Sequence, residues 1–205
     1  MVRAKVNLFR LFQEEDPVQR KVIVRQYRCY ANLAESYSAI PSRFLAITHG
    51  VSAVGKSQVA LRLVEALGVV RLRSDVERKR LHGTPTDETG EALHAGIYSA
   101  QASEATYRRL HELAETALNA GFSAVIDASY LKQDQRQAAW QVAESTGVPF
   151  LIIDCQAPDA VIEQWLTQRQ AQGTDPSDAT MEVIRSQQAS REPLSEAEQL
   201  LSRRV

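Results

Sequence analysis

The stretch Gly50-Val51-Ser52-Ala53-Val54-Gly55-Lys56-Ser57 meets the spacing G-x-x-x-x-G-K-[ST] at each fixed position. A lysine and a hydroxyl placed directly after a glycine-flanked turn suit one chemistry, the holding of a polyphosphate. Backbone N–H groups aim inward and a helix N-terminus points at the anion. Lys56 then meets the outer phosphates, and the Ser57 hydroxyl completes the shell of a Mg2+ that bridges phosphate oxygens. Gly50, Ser52, Ala53, Val54, Gly55, Lys56 and Ser57 are therefore the expected contacts of a nucleoside triphosphate. Ala53 stands where many such loops carry a further glycine, a position the motif leaves open.

Further residues could act beside this loop. An apolar run ending in Arg73 is followed by Ser74-Asp75-Val76-Glu77-Arg78. A carboxylate at the end of a strand next to a phosphate loop can orient an acceptor hydroxyl and take its proton, which makes Asp75 a candidate base. Arg78, three residues on, shares a helix face with it and could hold a polar or anionic acceptor. The same residues also read as a capping box, Ser74-x-x-Glu77, ahead of a solvated basic face. Asp127 ends the buried run Ala124-Val125-Ile126 and suits a carboxylate that orders Mg2+ or touches the acceptor. Ser129 and Arg136 are weaker candidates for acceptor binding, and Arg136 reads equally as a surface ion pair. Arg169 continues a buried stripe of Ile162, Trp165 and Leu166 to a helix end, where it could reach the charge that develops in phosphoryl transfer. A cation favoured at a helix C-terminus is the alternative. The four histidines lack metal spacing, and His49 reads as a packing or capping residue.

These residues need a frame that brings strand ends together. Arg43–Thr48 reads as a buried strand, and Val59, Leu63 and Leu67 recur every fourth residue until Gly68 stops the helix. Beyond lie a strand at 69–73, a helix from 75, a polar loop at 83–90 and a helical region at 91–120. A strand at 123–127, a helix at 134–145, a strand at 149–154 and helices at 158–170, 179–190 and 195–203 follow. Alternation of this kind predicts an α/β fold, a central parallel sheet covered on both faces by helices, with ligands at the carboxyl ends of the strands. Residues 1–40 differ: two helical patterns, the second opened by Asp16-Pro17, predict a helical hairpin broken from 41–205 by Pro41-Ser42. Two helices alone bury too little to stand by themselves, so they must dock on the main domain or a partner.

Composition narrows the classes. In 205 residues, 24 basic against 25 acidic side chains give a net charge of -1, which argues against broad attraction to nucleic acid or anionic membrane. Cys29 and Cys155 sit in apolar surroundings without zinc spacing, and no apolar stretch suits a membrane span or a signal peptide. The expectation is a cytoplasmic protein.

Residues 43–195 resemble the P-loop kinases often fused behind an aminoglycoside-phosphotransferase-like domain and commonly labelled AAA-family ATPases. The resemblance is carried by His49–Ser57, Arg73–Lys79, Val125-Ile126-Asp127-Ala128-Ser129, Gly147-Val148-Pro149-Phe150 and Arg169 through Ala179. More distantly the order is similar to phage polynucleotide kinase and zeta-toxin-like kinases. That likeness implies a P-loop three-layer sandwich, Asp75 as base, Arg78 as acceptor ligand, and ATP with Mg2+. Val2–Tyr30 resembles the last helices of the fused phosphotransferase-like domain, which implies such a domain as a possible partner of residues 1–40. Relatives often carry an additional arginine one helical turn before Arg169, and here that position is Trp165.

Two functions follow as expectations. One is an ATP- and Mg2+-dependent kinase acting on a hydroxyl of a small-molecule or nucleotide-like acceptor, with Lys56, Asp75 and Arg169 as its catalytic groups. The alternative is a nucleotide-dependent switch whose slow hydrolysis regulates a partner through the hairpin. A polynucleotide acceptor is disfavoured by the near-neutral charge.

Overall fold

The computed structural model describes residues 2–38, 43–81, 99–172 and 181–205. They fall in two units, Met1–Ser42 and Arg43–Val205. In the first, α1 (Val2–Gln13) and α2 (Pro17–Ser38) form a hairpin. Pro17 opens α2 where a missing N–H costs nothing, and Asp16 Oδ1 accepts the Val18 N–H at 2.9 Å. Arg20 Nη1 ties the turn by donating to the carbonyls of Leu11 and Glu14 at 2.8 and 2.7 Å. Phe9, Phe12 and Val18 of this unit are exposed.

The second unit is built on β1 (Leu45–His49), β2 (Val70–Arg73), β3 (Ala124–Asp127), β4 (Phe150–Asp154) and β5 (Ser202–Arg204). Among the described residues these make one sheet in the order β2-β3-β1-β4-β5, every pair parallel. Connecting them are α3 (Lys56–Leu67), α4 (Ser74–Leu81), α5 (Ala100–Asn119), α6 (Gln133–Ser145), α7 (Asp159–Gln172), α8 (Met181–Ser190) and α9 (Glu196–Leu200).

Side chains alternate across a strand, so each of the central strands feeds two cores. Leu45, Ile47, Ile126 and Ile152 pack under Leu110, Ala114 and Leu118 of α5 and Ala139 and Ala143 of α6. Ala46, Val125 and Ile153 turn to the other face, against Ala60, Ile162 and Ile184 of α3, α7 and α8. The near-continuous apolar runs of β1, β3 and β4 reflect this burial on both faces.

The predicted helix at 195–203 is corrected. A capping box, Ser195 Oγ accepting the Glu198 N–H and Glu198 Oε2 accepting the Ser195 N–H, starts a single turn that ends at Leu200. The chain then extends, because Ser202–Arg204 completes the edge of β4, with Ile152 opposite Ser202 and Asp154 opposite Arg204. Of the helical region expected at 91–120, Ala100–Asn119 is a helix; the loop at 83–90 and residues 91–98 lie outside the described residues.

Candidate functional site

β1 is flanked by β3 and β4, while the chain leaves it for β2 beyond β3. The crossovers thus reverse direction at the carboxyl end of β1, where open α/β sheets form a crevice. Near the end of the strand, Thr48 Oγ1 donates to the Ala128 carbonyl at 2.7 Å and accepts the Ala128 N–H at 3.1 Å. The phosphate-loop residues fill the crevice mouth.

Gly50 has φ 135°, and a Cβ there would run into the backbone carbonyl of Cys155. Gly55 has φ 87° and caps α3, its carbonyl accepting the N–H groups of Gln58 and Val59 at 3.0 and 3.2 Å. Ala53 adopts φ 63°, so this loop places a residue with a Cβ in the left-handed region. That conformation costs a non-glycine residue roughly 1–2 kcal/mol. The buried methyl returns about 0.8 kcal/mol and the smaller unfolded-state entropy of alanine about 0.4–1 kcal/mol, which nearly balances it. Successive turns of this kind make an anion-binding nest. Lys56 Nζ arches back to donate to the Val51 carbonyl at 2.6 Å. The Ser52 N–H donates to Gln187 Oε1 of α8 at 2.7 Å.

Ser57 Oγ donates to Asp127 Oδ2 at 2.9 Å, and Arg71 Nε and Nη2 donate to the same oxygen at 3.1 and 2.5 Å. A hydroxyl and a buried carboxylate side by side are hard oxygen donors that fit Mg2+, which takes few protein ligands and fills its octahedron with phosphate oxygens and water. Among the described residues no three His, Cys, Asp or Glu side chains group closely enough to hold a metal by themselves.

Asp75 lies in the first turn of α4, directly after β2. Burial raises its carboxyl above the ordinary 3.8, Asp127 adds to the rise, and Arg78, Arg73 and Lys56 pull it down. Those influences reach it from β2, β3, α3 and α4, which brings the predicted base, the phosphate lysine and the Ser57–Asp127 pair into one electrostatic neighbourhood. Arg78 is buried and its Nη1 donates to Ser103 Oγ of α5 at 3.2 Å. Glu77, the other half of the expected capping box, pairs with Arg80. Ser129 faces Tyr107, with 3.3 Å between the hydroxyls, and Tyr107 Oη also accepts the Tyr130 N–H at 3.2 Å. Burial pushes the Tyr107 phenol above its usual value.

Arg136 is corrected. Its side chain is 0% exposed, paired with Glu198 at 4%. Nε donates to Glu198 Oε1 at 2.7 Å and Nη2 to Oε2 at 3.1 Å. The remaining N–H groups go to the carbonyls of Tyr130, Glu192 and Pro193. All five donors are spent on the protein, so Arg136 ties α6 to the C-terminal turn and has none left for an acceptor. Arg169 falls within α7, and its side chain lies outside the described residues. Trp165, expected in the buried stripe with Ile162, is 40% exposed.

Three partners of the site escaped the sequence. Arg71 holds Asp127; its signal was a charged residue inside a short parallel strand. Gln187 holds the loop at Ser52, and nothing local marks it. His49 Nδ1 lies 2.8 Å from Asp154 Oδ1, which also accepts from Arg191 Nη2 at 3.1 Å. Asp154 ends Phe150–Asp154 as Asp127 ends its strand, a legible parallel. Burial raises the Asp154 carboxyl, but hydrogen bonds from His49 and Gln156 and the charges of His49 and Arg191 outweigh that and hold it below the ordinary value.

A five-stranded parallel sheet in this order, with the phosphate loop between β1 and α3, defines a P-loop NTPase fold of the kinase-like type. A family model described as "AAA domain" matches residues 45–194, and the chain belongs to that family. It is similar to an uncharacterized protein of Mycobacterium tuberculosis (Rv2004c), 29% identical over 190 residues, and identically to one of Mycobacterium bovis (Mb2027c). The match takes in 89% of this chain but 35% of those proteins, so the chain spans about a third of their length. Among solved structures, a sugar kinase from Janibacter sp. HTCC2649 aligns with TM-score 0.57 and 21% identity, over 80% of this chain and 85% of that one. A gluconokinase from Sinorhizobium meliloti 1021 aligns with TM-score 0.54 and 17% identity, over 81% and 82%. At such identities the likeness is one of fold. Among the described residues no helix is long and apolar enough to cross a membrane.

Proposed function

We propose that this chain is an ATP- and Mg2+-dependent kinase that transfers the γ-phosphoryl group to a hydroxyl of a small-molecule or nucleotide-like acceptor. One observation carries the reading: a phosphate nest, a hydroxyl–carboxylate pair suited to Mg2+, and a carboxyl of raised pKa meet at the carboxyl ends of adjacent parallel strands. A nucleotide-holding fold needs the first two alone, and a second carboxylate with a buried arginine beside it suits an acceptor alcohol.

Gly50–Ser57 hold the polyphosphate, and Lys56 exchanges the Val51 carbonyl for a phosphate oxygen. Ser57 and Asp127 would hold Mg2+, which supplies charge neutralisation across the phosphates when bound. Arg78 binds the acceptor and Asp75 takes the proton of its hydroxyl as the new O–P bond forms and the bond to the ADP oxygen breaks. Arg169, on the helix that leads out of the crevice, supplies positive charge to the transferring group. The nearly neutral surface fits a small acceptor better than a nucleic-acid strand. Abundant ATP and two free thiols fit a cytoplasmic setting. The exposed apolar residues of α1 and α2 suit contact with a phosphotransferase-like domain or another partner.

The test is ADP release across a panel of sugars, polyols and nucleosides, with Asp75→Asn and Lys56→Ala beside the parent. Asp75→Asn should lose about 10²–10⁴-fold in transfer while ATP affinity stays within a few-fold, and Lys56→Ala should lose both. Equal transfer by the parent and Asp75→Asn removes Asp75 as base.

A further inference from the structure

We propose that Trp165 is the platform on which the nucleobase of the bound nucleotide stacks. This rests on the reading of Gly50–Ser57 as a triphosphate site and assigns the part of that site which holds the base. Ile162, one turn earlier on α7, is buried in the core, whereas Trp165 is 40% exposed. Its six-membered ring lies beside the phosphate loop: a Cβ added to Gly55 would sit 3.7 Å from Cζ3 and 4.0 Å from Cη2. Those are ordinary contact distances, so the indole lies in van der Waals reach of the loop backbone, and it is the φ of 87° that calls for glycine at position 55.

An isolated exposed tryptophan needs no explanation, but one laid against the phosphate loop lies beside whatever that loop holds. Two parts of a nucleotide compete for it. Phosphate oxygens are repelled by the negative π-face of an indole, while a purine is a flat aromatic that stacks on it. The chemistry therefore selects the base over the phosphates. Stacking tolerates any base, because every base has a π-face, so adenine and guanine nucleotides should benefit alike.

Tryptophan fluorescence and calorimetry with Mg2+ read this directly, because the chain holds one other tryptophan. Trp140 is stacked on Phe150 with ring centroids 6.2 Å apart, partly buried against the core on the opposite face of the sheet from Ile162. The probes are ATP, GTP and inorganic tripolyphosphate, applied to the parent, Trp165→Ala and Trp165→Phe. ATP and GTP should change the emission of the parent and tripolyphosphate should not. Trp165→Ala should bind ATP about tenfold more weakly yet bind tripolyphosphate as the parent does, and Trp165→Phe should recover most of the loss. Equal losses for ATP and tripolyphosphate would make the ring a cover over the phosphates, and no loss for either would make it a bystander. Both outcomes overturn the platform and leave the triphosphate site standing. A folded parent that binds neither ATP nor tripolyphosphate overturns the site and the platform together.

Discussion

Replacing Arg136 by methionine separates a structural arginine from an acceptor-binding one. The methionine keeps much of the apolar stem and removes all five donors. Glu198, 4% exposed, then loses its two charge-assisted bonds, and the carbonyls of Tyr130, Glu192 and Pro193 lose theirs. Breaking a buried pair by deleting one partner costs about 3–5 kcal/mol, because a carboxylate is left uncompensated in a low dielectric. For a chain of this size that is roughly 6–20 °C in melting temperature. Adding Glu198→Gln should recover part of the loss, since the stranded charge is gone. The pH dependence has a definite sign. Burial raises the Glu198 carboxyl, but Arg136 and the Ser195 N–H lower it further, leaving it below the ordinary 4.5. Its contribution is therefore present above about pH 4.5 and lost as pH falls through the folded value, and that acid limb should shrink in the double variant. Urea unfolding at several pH values measures both effects, and nucleotide titration at low temperature should find affinity unchanged. A variant as stable as the parent that fails to bind acceptor would refute the reasoning and restore Arg136 to the site.

Ala53→Gly should change stability by less than about 1 kcal/mol, since relief of the positive φ is offset by the lost methyl and the added chain entropy; a gain of several degrees in melting temperature would show that strain dominates. Gly50→Ala, by contrast, should cost at least about 2 kcal/mol, as its Cβ meets the Cys155 carbonyl at a φ that alanine disfavours. Asp127→Asn removes the charge that holds Ser57 and Arg71, so calorimetry at several Mg2+ concentrations should show about tenfold more Mg2+ needed for nucleotide binding, with metal-free affinity little changed. Burial pushes the Cys155 thiol up to about 11, so a thiol reagent at neutral pH should titrate the exposed Cys29 alone until the protein is unfolded.

Local pattern carried a long way. The phosphate loop is a contiguous run whose backbone path depends on its own glycines, so its residues and the strand and helix around it were readable in order. Asp75 and Asp127 were readable too, because an acid at the end of a strand, or just past it, in an alternating chain must lie at one rim of the sheet. Trp165 and Arg136 were misjudged for a common reason. A tryptophan on an apolar stripe and an arginine on a helix reveal their surroundings only when distant segments arrive, here the phosphate loop in one case and Glu192–Glu198 in the other. The same holds for Ser202–Arg204, whose helical tendency gave way to the open edge of β4.

By itself, then, the chain's order of residues determined the kind of fold, the nest and the strand ends that face it, since these depend on period, turn chemistry and short-range spacing. Which polar groups pair was decided by the tertiary structure alone: Arg71 with Asp127 across 56 residues, Arg136 with Glu198 across 62 and Gln187 with Ser52 across 135. A buried polar group must find a partner wherever packing delivers one, and that place is set by the crossovers of the sheet and by no local rule.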